Sequence, residues 1–530
     1  MERVHLPFSR GARTLPTQLR QVAVLQRAGV IDLRRPDQII RTSRSVRTLG
    51  PIAGTVEIAA LRFPDRIALI DESGLLTYRE LAYSTNALAQ AWLTQGVSAR
   101  TPIGVLCRDH RGMVQALIAG AKIGARVVLL NTGFGATQLS DVVAREGVGA
   151  VLADDEFDSA TAALGPEIRR LDLRATKNSV VARPPAPATQ GGFVILTGGT
   201  TGTPKGVPRK VETPLAAAQF LDRVPYRSGG VTLLCAPLFH GTALTQFIMS
   251  LSLGCTVVLH GRFDARRAVA QIQEYRCTAV VLVPTMLRRI LDLGAAEIRG
   301  YDTSSLRIVF SAGAALPSAL GSRAIELFGP VLYNFYGCTE TGTATIATPR
   351  DWIAAPGTVG KPPVGIVVRL YDNGRPVTGP GAKGTVYVGN SIAFTGYSGG
   401  GGKNIVDGLM STGDVGHFDA AGRLFIDGRD DDMIVSGGEN VFPGEVEDLL
   451  YRHPKITEAA VIGVPDEEFG QRLAAFLIAH GDLSGDEVRA YVRDHLARFK
   501  VPRDVRFVED LPRTPTGKIN RGALAALALT

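Results

Sequence analysis

The sequence has little of what secreted or membrane-spanning proteins need. Cysteine occurs only five times in 530 residues, and no two cysteines form a C-x-x-C pair. This scarcity indicates reduced thiols buried in apolar segments, as in a cytoplasmic protein, rather than a disulfide framework. No apolar run approaches the length of a membrane span and no signal peptide is visible, so the sequence predicts no transmembrane segment.

Strong charge of either sign is also missing. The net charge is +8, a mild bias for this length, and aromatic and basic residues do not interleave as they do in nucleic-acid-binding surfaces. The sequence therefore predicts no nucleic-acid partner. Residues 1–50 are more basic, with ten arginines and three acidic residues. Within them, "TQLRQVAVLQRAG" predicts an amphipathic helix, which leaves open peripheral membrane contact, a solvated leader or a segment packed on the main body.

The chain length and the changes in residue pattern along the sequence predict two or three domains. From about residue 60 to 336, short β-branched runs alternate with helical patterns, which predicts an α/β fold of parallel sheets covered by helices. The nine predicted strands are RIALI, IGVLC, RVVLL, GAVL, FVIL, VTLLC, CTVVL, TAVVLV and LRIVF. The predicted divisions are a basic leader (1–50), a large domain (51–428) with a β-rich part (351–428), a hinge (429–432) and a small α+β domain (433–530).

One glycine- and threonine-rich segment, "LTGGTTGTPKGVPRK" at 196–210, follows the predicted strand FVIL. Its spacing fits neither a Walker loop nor a dinucleotide-binding fingerprint. Small residues that free backbone N–H groups, the hydroxyls of Thr200, Thr201 and Thr203, and the charge of Lys205 nevertheless predict an anion site. A surface loop is the alternative, but a buried strand that leads into a glycine-rich turn is a common place for a ligand in α/β proteins.

Six more segments follow this loop in order: "PLFHG" (237–241), "SAGAALP" (311–317), "YGCTETG" (336–342), "STGDVG" (411–416), "GRDDDMIVSGGENVFPGEVE" (428–447) and "PRTPTGKINR" (512–521). With these motifs the chain, over about residues 50–525, resembles the adenylate-forming superfamily of acyl-CoA synthetases, amino-acid adenylation domains and luciferases. The resemblance implies a large domain and a small mobile C-terminal domain. It also implies a reaction that joins a carboxylate to the α-phosphate of ATP and releases pyrophosphate. Both reactants are anions, so such a site needs N–H groups, a metal ion and cations rather than a protein nucleophile.

The resemblance implies a role for each matching residue. The loop from Thr197 to Lys205 would hold the β- and γ-phosphates of ATP, with Gly199 and Gly202 bringing the backbone close. Tyr336 would flank the adenine, the neighbouring Gly337 would belong to the nucleotide site, and Glu340 would hold Mg²⁺. The remaining implied nucleotide contacts are Gly313 and Ala314 at the adenine, Thr339 at the α-phosphate, Asp414 at the ribose hydroxyls and Arg429 at ribose or phosphate.

Two further groups of residues are implied by the C-terminal motifs. Lys518 would bridge carboxylate and phosphate during adenylation, and Asp431 would be the hinge about which the small domain turns. Gly437 and Gly438 would let a loop of the rotated small domain pass close to the pantetheine of CoA. His240 in "PLFHG" would gate the acid pocket. The implied ligands are therefore ATP, Mg²⁺ and CoA.

One segment departs from the family pattern. "GYSGG" at 396–400 matches the G-x-S-x-G motif of esterases, but that motif needs a helix after the serine, and here Gly399–Gly402 follow Ser398. The esterase reading is therefore rejected. Members of the superfamily usually have a longer stretch with an aromatic residue before "TGD", so "SGGGGKNIVDGLMSTGD" predicts a shortened loop of unassigned role.

Several members of the superfamily fit these motifs. A histidine at position 240 cannot pair with an α-ammonium group, and "SGGENVFPGEVE" is the form common in CoA ligases. Small and apolar residues in "GTALTQFIMSLSLG" favour an aliphatic tunnel. The sequence thus predicts a ligase that joins a medium- or long-chain fatty acid to CoA. The alternatives are an acyl-AMP ligase that feeds a carrier protein, an aryl-acid–CoA ligase and a luciferase-like oxygenase. Homodimer formation is left open.

Overall fold

A computed structural model describes residues 15–173, 183–197, 205–209, 214–390, 396–397, 402–429, 432–436, 439–466, 470–514 and 518–528. The helices are α1 Leu15–Ala28, α2 Pro36–Arg62, α3 Tyr78–Thr94, α4 Arg111–Lys122, α5 Ala136–Arg145, α6 Asp158–Ala162, α7 Ala218–Leu221, α8 Gly241–Ser252, α9 Ala265–Glu274, α10 Pro284–Leu291, α11 Ala295–Arg299, α12 Ser318–Phe328, α13 Pro349–Ala354, α14 Pro443–Leu450, α15 Gly485–His495 and α16 Arg521–Ala528. The strands are β1 Ile67–Asp71, β2 Gly74–Thr77, β3 Ile103–Leu106, β4 Val127–Leu129, β5 Ala150–Ala153, β6 Arg169–Arg170, β7 Phe193–Thr197, β8 Lys205–Arg209, β9 Val231–Leu234, β10 Thr256–Val258, β11 Ala279–Leu282, β12 Ile308–Ser311, β13 Leu332–Cys338, β14 Gly342–Ala347, β15 Val367–Asp372, β16 Arg375–Val377, β17 Lys383–Gly389, β18 Ile405–Val406, β19 Leu409–Phe418, β20 Leu424–Arg429, β21 Ile434–Ser436, β22 Glu439–Val441, β23 Ile456–Asp466, β24 Gly470–Ala479 and β25 Asp504–Phe507.

Two mostly parallel sheets form the large domain, as the sequence predicts. One has eight strands in the order β14-β13-β12-β11-β9-β10-β1-β2, and the other has the order β6-β5-β3-β4-β7-β8. All nine predicted strands are present, and antiparallel pairing is confined to the edges, at β13–β14, β1–β2 and β7–β8. The α/β prediction is confirmed. Its physical basis is that strands buried on both faces consist of continuous apolar residues.

The largest apolar cluster joins the two sheets through the helices between them. Phe310 of the eight-stranded sheet, Ile195 of the other sheet and Phe247 of α8 all belong to it. A second cluster covers the opposite face of the eight-stranded sheet with α9, α10, α12 and Trp352 of α13. Helix α13, at the start of the interval 351–428 that the sequence predicts as β-rich, therefore packs against the eight-stranded sheet. Strands β15 to β20, which form the β-rich sheet, start only at Val367.

The basic N-terminal segment is largely helical from residue 15. Helix α1 is the predicted amphipathic helix, and its Val24, Leu25 and Ala28 are buried in the largest core cluster. Its apolar face is thus packed on the main body. Helix α2 bends at Gly50, whose φ is +80°, next to Pro51, so the division predicted after residue 50 falls at this bend. No helix in the described ranges is long and apolar enough to cross a membrane, and peripheral membrane contact stays a prediction.

The small domain is built on the sheet β22-β21-β24-β23, with β25 parallel to β24. Its helix α15 starts at a capping box, in which the Ser484 hydroxyl and the Glu487 carboxylate bond reciprocally to backbone N–H groups. The helix ends at His495, and a 3₁₀ turn follows at Arg498–Lys500.

Candidate active site

The carboxyl ends of the parallel strands of the eight-stranded sheet bring several predicted residues to one edge. "PLFHG" follows β9, "AGA" follows β12, and "YGCTE" closes β13. This edge is where open α/β sheets bind ligands, because loops from neighbouring parallel strands converge there. Gly313 has a φ of +89°, and a Cβ at that position would lie 3.3 Å from Val283. Both Gly313 and Ala314 are exposed at this edge.

Tyr336, Asp414 and Arg429, which the resemblance assigns to the nucleoside, form one polar cluster. The Tyr336 hydroxyl donates to Asp414 Oδ2 at 2.6 Å. Strand β19 pairs Asp414 with Arg429 of β20, and Arg429 Nη1 lies 3.9 Å from Asp414 Oδ1. Burial raises the pKa of Asp414, against the opposing effects of the Tyr336 hydrogen bond and the Arg429 charge. The cluster provides a fixed carboxylate, the type of group that accepts hydrogen bonds from ribose hydroxyls.

The turn between β13 and β14 holds Thr339 and Glu340. A Cβ on Gly337 would lie 2.1 Å from the carbonyl oxygen of Gly342, so this tight hairpin requires glycine at 337. Glu340 is 8% exposed and accepts a hydrogen bond from the Tyr397 hydroxyl at 2.6 Å. Burial raises the pKa of Glu340, but the Tyr397 hydrogen bond and the nearby Lys403 outweigh it, so the pKa is lowered. A buried carboxylate that stays ionised fits a magnesium ligand.

Tyr397 is a site residue that the sequence reasoning missed. Lys205, the cation of the phosphate loop, lies 5.0 Å from the centroid of the Tyr397 ring. Tyr397 therefore connects the end of the phosphate loop to Glu340 by a cation–π contact on its ring and a hydrogen bond from its hydroxyl. The residue is part of "GYSGG", which was considered only as an esterase motif. Only the fold brings Tyr397 against the turn between β13 and β14.

His240 and Lys518, the two residues implied in catalysis on different domains, lie near each other. His240 is the N-cap of α8, and its Nε2 is buried with no hydrogen-bond partner within the described ranges. Burial, together with the charge of Lys518, lowers the pKa of His240 to about 4. The imidazole is therefore neutral at pH 7, and the ammonium of Lys518 is the positive charge at this point of the site.

Polar contacts join the small domain to the helices α10 and α12 of the large domain. Arg288 of α10 donates to the carbonyl oxygen of Thr457, and its guanidinium lies 4.8 Å from the Tyr451 ring centroid. Ser318, at the start of α12, donates from its backbone N–H and its hydroxyl to Asp448 Oδ1, at 3.0 and 2.9 Å. The small domain thus faces the site with the lysine that the resemblance implies for adenylation.

Several predicted site residues lie outside the described ranges. They are Gly199, Thr200, Thr201, Gly202, Thr203, Asp431, Gly437 and Gly438. Their roles stay predictions. The strands on either side of the phosphate loop are described: Thr197 ends β7 and pairs with Lys205 at the start of β8, so the loop connects two antiparallel strands.

A buried carboxylate supports the loop that carries His240. Both carboxylate oxygens of Asp109 accept from the Leu238 backbone N–H, at 3.0 and 3.1 Å. Burial raises the pKa of Asp109 to about 7, although this hydrogen bond and the charges of His110 and Arg108 oppose the shift. Asp109 thus fixes the backbone two residues before His240.

Substitution Asp109→Asn is expected to stabilise the protein selectively at high pH. The unfolded carboxyl ionises near pH 4 but the folded one near 7, so folding stability falls as pH rises between these values, by on the order of a few kcal/mol. Asparagine keeps an acceptor for Leu238 and does not titrate. The Tm advantage of the variant should therefore be larger at pH 8 than at pH 5. An equal difference at both pH values, or the same pattern in the exposed control Asp155→Asn, would contradict this.

Family models match both parts of the chain. The model for the AMP-binding enzyme matches residues 56–398, and that for the AMP-binding enzyme C-terminal domain matches residues 445–518. The chain belongs to the AMP-binding enzyme family. The recognition of the adenylate-forming superfamily, in its acid–CoA ligase branch, is confirmed, and with it ATP, Mg²⁺ and CoA as ligands.

Relatives cover nearly the whole chain. The 2-succinylbenzoate–CoA ligase of Bacillus pumilus is 31% identical over 474 residues, which are 87% of this chain and 95% of that protein. A Mycobacterium tuberculosis protein, the 3-[(3aS,4S,7aS)-7a-methyl-1,5-dioxo-octahydro-1H-inden-4-yl]propanoyl:CoA ligase, is 32% identical and is covered in full, over 91% of this chain.

A solved structure agrees with the fold. The o-succinylbenzoate CoA synthetase of Bacillus subtilis, in complex with its acyl-adenylate intermediate, superposes with a TM-score of 0.80 at 27% identity, over 89% of this chain and 97% of that one. The same enzyme has been solved with ATP and magnesium. This chain is accordingly an acid–CoA ligase that acts through an acyl adenylate. These comparisons establish the reaction class but do not identify the acid that the enzyme uses.

Proposed function

We propose that this enzyme joins to CoA a carboxylic acid whose acyl part carries a ring and a hydroxyl or carbonyl group. This replaces the medium- or long-chain fatty acid that the sequence predicts. The names of the two ligases compared above both describe ring-bearing acids with further oxygen atoms. The residues of α8 and β13 beside His240 give independent support.

Gln246 carries the proposal. The side chain is 1% exposed, and its Oε1 has no hydrogen-bond partner among the residues described. Ser250, one turn further along α8, donates to Thr232 of β9 at 2.9 Å, so this face of the helix packs toward the eight-stranded sheet. Gln246 lies on that face, one turn closer to His240. An unpaired buried amide oxygen costs roughly 1–3 kcal/mol, which a polar group on the acid would recover and an alkyl chain would not.

An aromatic cluster belongs to the same apolar core as α8. The ring centroids of Phe310 and Phe335 are 5.6 Å apart, and those of Phe220 and Phe310 are 5.1 Å apart. Phe335 lies on β13 just before the "YGCTE" turn and is only partly buried. Its exposed part offers an aromatic surface for a ring near the acid site.

The test is pyrophosphate release measured over two series of acids, with and without CoA. The proposal expects hydroxyl- or keto-substituted ring acids to exceed the unsubstituted rings about tenfold or more in kcat/KM, and to exceed straight-chain acids. In Gln246→Leu this preference for the substituted acid should fall by roughly tenfold, because the hydrogen-bonding group is gone. The exposed Gln273→Leu is the matched control and should leave the preference unchanged.

One outcome would restore the fatty-acid prediction. If kcat/KM climbs roughly threefold to fourfold per carbon along straight-chain acids, as about 0.8 kcal/mol per buried methylene requires, and these acids exceed every ring acid, the proposal is wrong. AMP formation that depends on CoA distinguishes the ligase from an enzyme that transfers to a carrier protein.

A further inference from the structure

We propose that Lys403 is a further nucleotide-binding residue, whose ammonium holds the α-phosphate of ATP and of the acyl adenylate. It lies just after the glycine run, in the segment where the chain departs from the family pattern. The proposal rests on the ATP-dependent adenylation contained in the proposed function. Its test uses nucleotide binding alone, so a wrong choice of acid would not affect it.

The backbone on both sides of the turn fixes the position of Lys403. Strands β18 and β19 form a hairpin in which Ile405 pairs with Met410. The hairpin turns at Asp407 and Gly408, with φ of +51° and +75°, as a two-residue type I′ turn requires. The Tyr371 hydroxyl donates to Asp407 at 2.8 Å, which anchors the turn.

The pairing continues to the residue beside Lys403. The backbone N–H of Ser411 donates to the carbonyl oxygen of Asn404 at 2.8 Å, and the Asn404 side chain donates to the Tyr387 hydroxyl at 3.0 Å. The same register places Lys403 opposite Thr412. The short hairpin thus places Lys403 beside the "STGD" segment of the neighbouring strand β19.

The ammonium of Lys403 lies among the nucleotide-binding groups. A Cβ built on Gly413 would lie 3.9 Å from Lys403 Nζ and 3.5 Å from Arg429 Nη2. The charge of Lys403 opposes the rise that burial causes in the pKa of Asp414, and it contributes to the lowered pKa of Glu340. The ammonium therefore lies near both the carboxylate assigned to ribose and the carboxylate assigned to Mg²⁺. In ATP the group between the ribose and the metal-bound phosphates is the α-phosphate.

Lys403 is also available for such a ligand. It makes no hydrogen bond or ion pair with the residues that the structure describes, and its side chain is partly buried. Charge-assisted hydrogen bonds to phosphate are among the stronger polar interactions in proteins. Transfer of the adenylyl group to a carboxylate, with pyrophosphate as the leaving group, also gains from any cation at the phosphorus that is attacked, because both reactants are negative.

The experiment is calorimetric titration of the full chain with ATP, AMP and adenosine. Lys403→Met removes the charge and keeps the chain length, and Lys403→Arg keeps the charge. We expect Lys403→Met to weaken the binding of both ATP and AMP about tenfold or more and to change the Kd of adenosine less than twofold. Lys403→Arg should stay within about threefold of the wild type for all three ligands. Lys361→Met, at a surface cavity away from the site, should have no effect.

Three results would overturn the proposal. If the binding of adenosine weakens as much as the binding of ATP, Lys403 only supports Asp414. If the binding of ATP weakens but the binding of AMP does not, the assignment of Lys403 to the α-phosphate is wrong. If Lys361→Met weakens the binding of ATP as much as Lys403→Met does, the effect comes from the overall charge of the protein. Thermal unfolding of each variant without ligand identifies a folding defect, and Lys403→Arg then decides the outcome because it keeps size and charge.

Discussion

Lys518→Ala is expected to lower pyrophosphate release from acid and ATP by about hundredfold or more, the usual effect of removing one charge that stabilises a transition state. The structure places this ammonium close enough to His240 to lower the histidine pKa. Because His240 is neutral at pH 7, it cannot replace the missing cation. Conversion of a preformed acyl adenylate and CoA to thioester should be retained, since Lys518 belongs to the domain orientation used for adenylation.

The two half-reactions are measured separately, with Lys455→Ala as the control. Lys455 is another lysine of the small domain, bonded to the Asp482 carbonyl oxygen, and its loss should leave both rates unchanged. Equal loss of both half-reactions in Lys518→Ala would contradict the role proposed for this residue, because a general folding or docking defect affects both steps alike.

Glu340→Gln is expected to produce the second large loss, again about hundredfold or more in pyrophosphate release at ordinary Mg²⁺ concentrations. Glutamine keeps the shape and the hydrogen bond from Tyr397 but removes the negative charge that holds the metal. Higher Mg²⁺ should recover part of the activity. Binding of adenosine should not change, because the nucleoside cluster around Asp414 is separate from Glu340.

Two comparisons make this test specific. Tyr397→Phe removes only the 2.6 Å hydrogen bond to Glu340 and should cost tenfold or less, with a smaller shift in the Mg²⁺ dependence. The exposed Glu274→Gln on α9 is the charge-matched control. A Glu340→Gln enzyme with an unaltered Mg²⁺ dependence would rule out Glu340 as the metal ligand.

The chain's own sequence determined the fold class, the nine strands of the parallel sheets and the superfamily. Short apolar runs between helical patterns are local signals, and buried parallel strands need no partner-specific residue to be recognised. The motifs were equally local: Tyr336, Glu340, Asp414 and Arg429 each lie in a short segment that can be read without knowing the fold. The fatty-acid prediction rests on the apolar composition of α8 and stays a prediction, because composition does not tell which face of the helix Gln246 occupies.

Tertiary structure alone decided which residues meet. Tyr397 reaches Glu340 across 57 positions of chain, and Asp109 reaches Leu238 across 129. No local pattern encodes such contacts, because they depend on sheet order and on how loops converge at one edge. The position of Lys403 follows from the register of a hairpin and a two-residue turn. The nearness of His240 and Lys518 depends on the orientation of two domains, which is set by side-chain contacts such as those of Arg288 and Ser318. Local sequence patterns predict the elements and the chemistry, and packing between distant segments decides where that chemistry comes together.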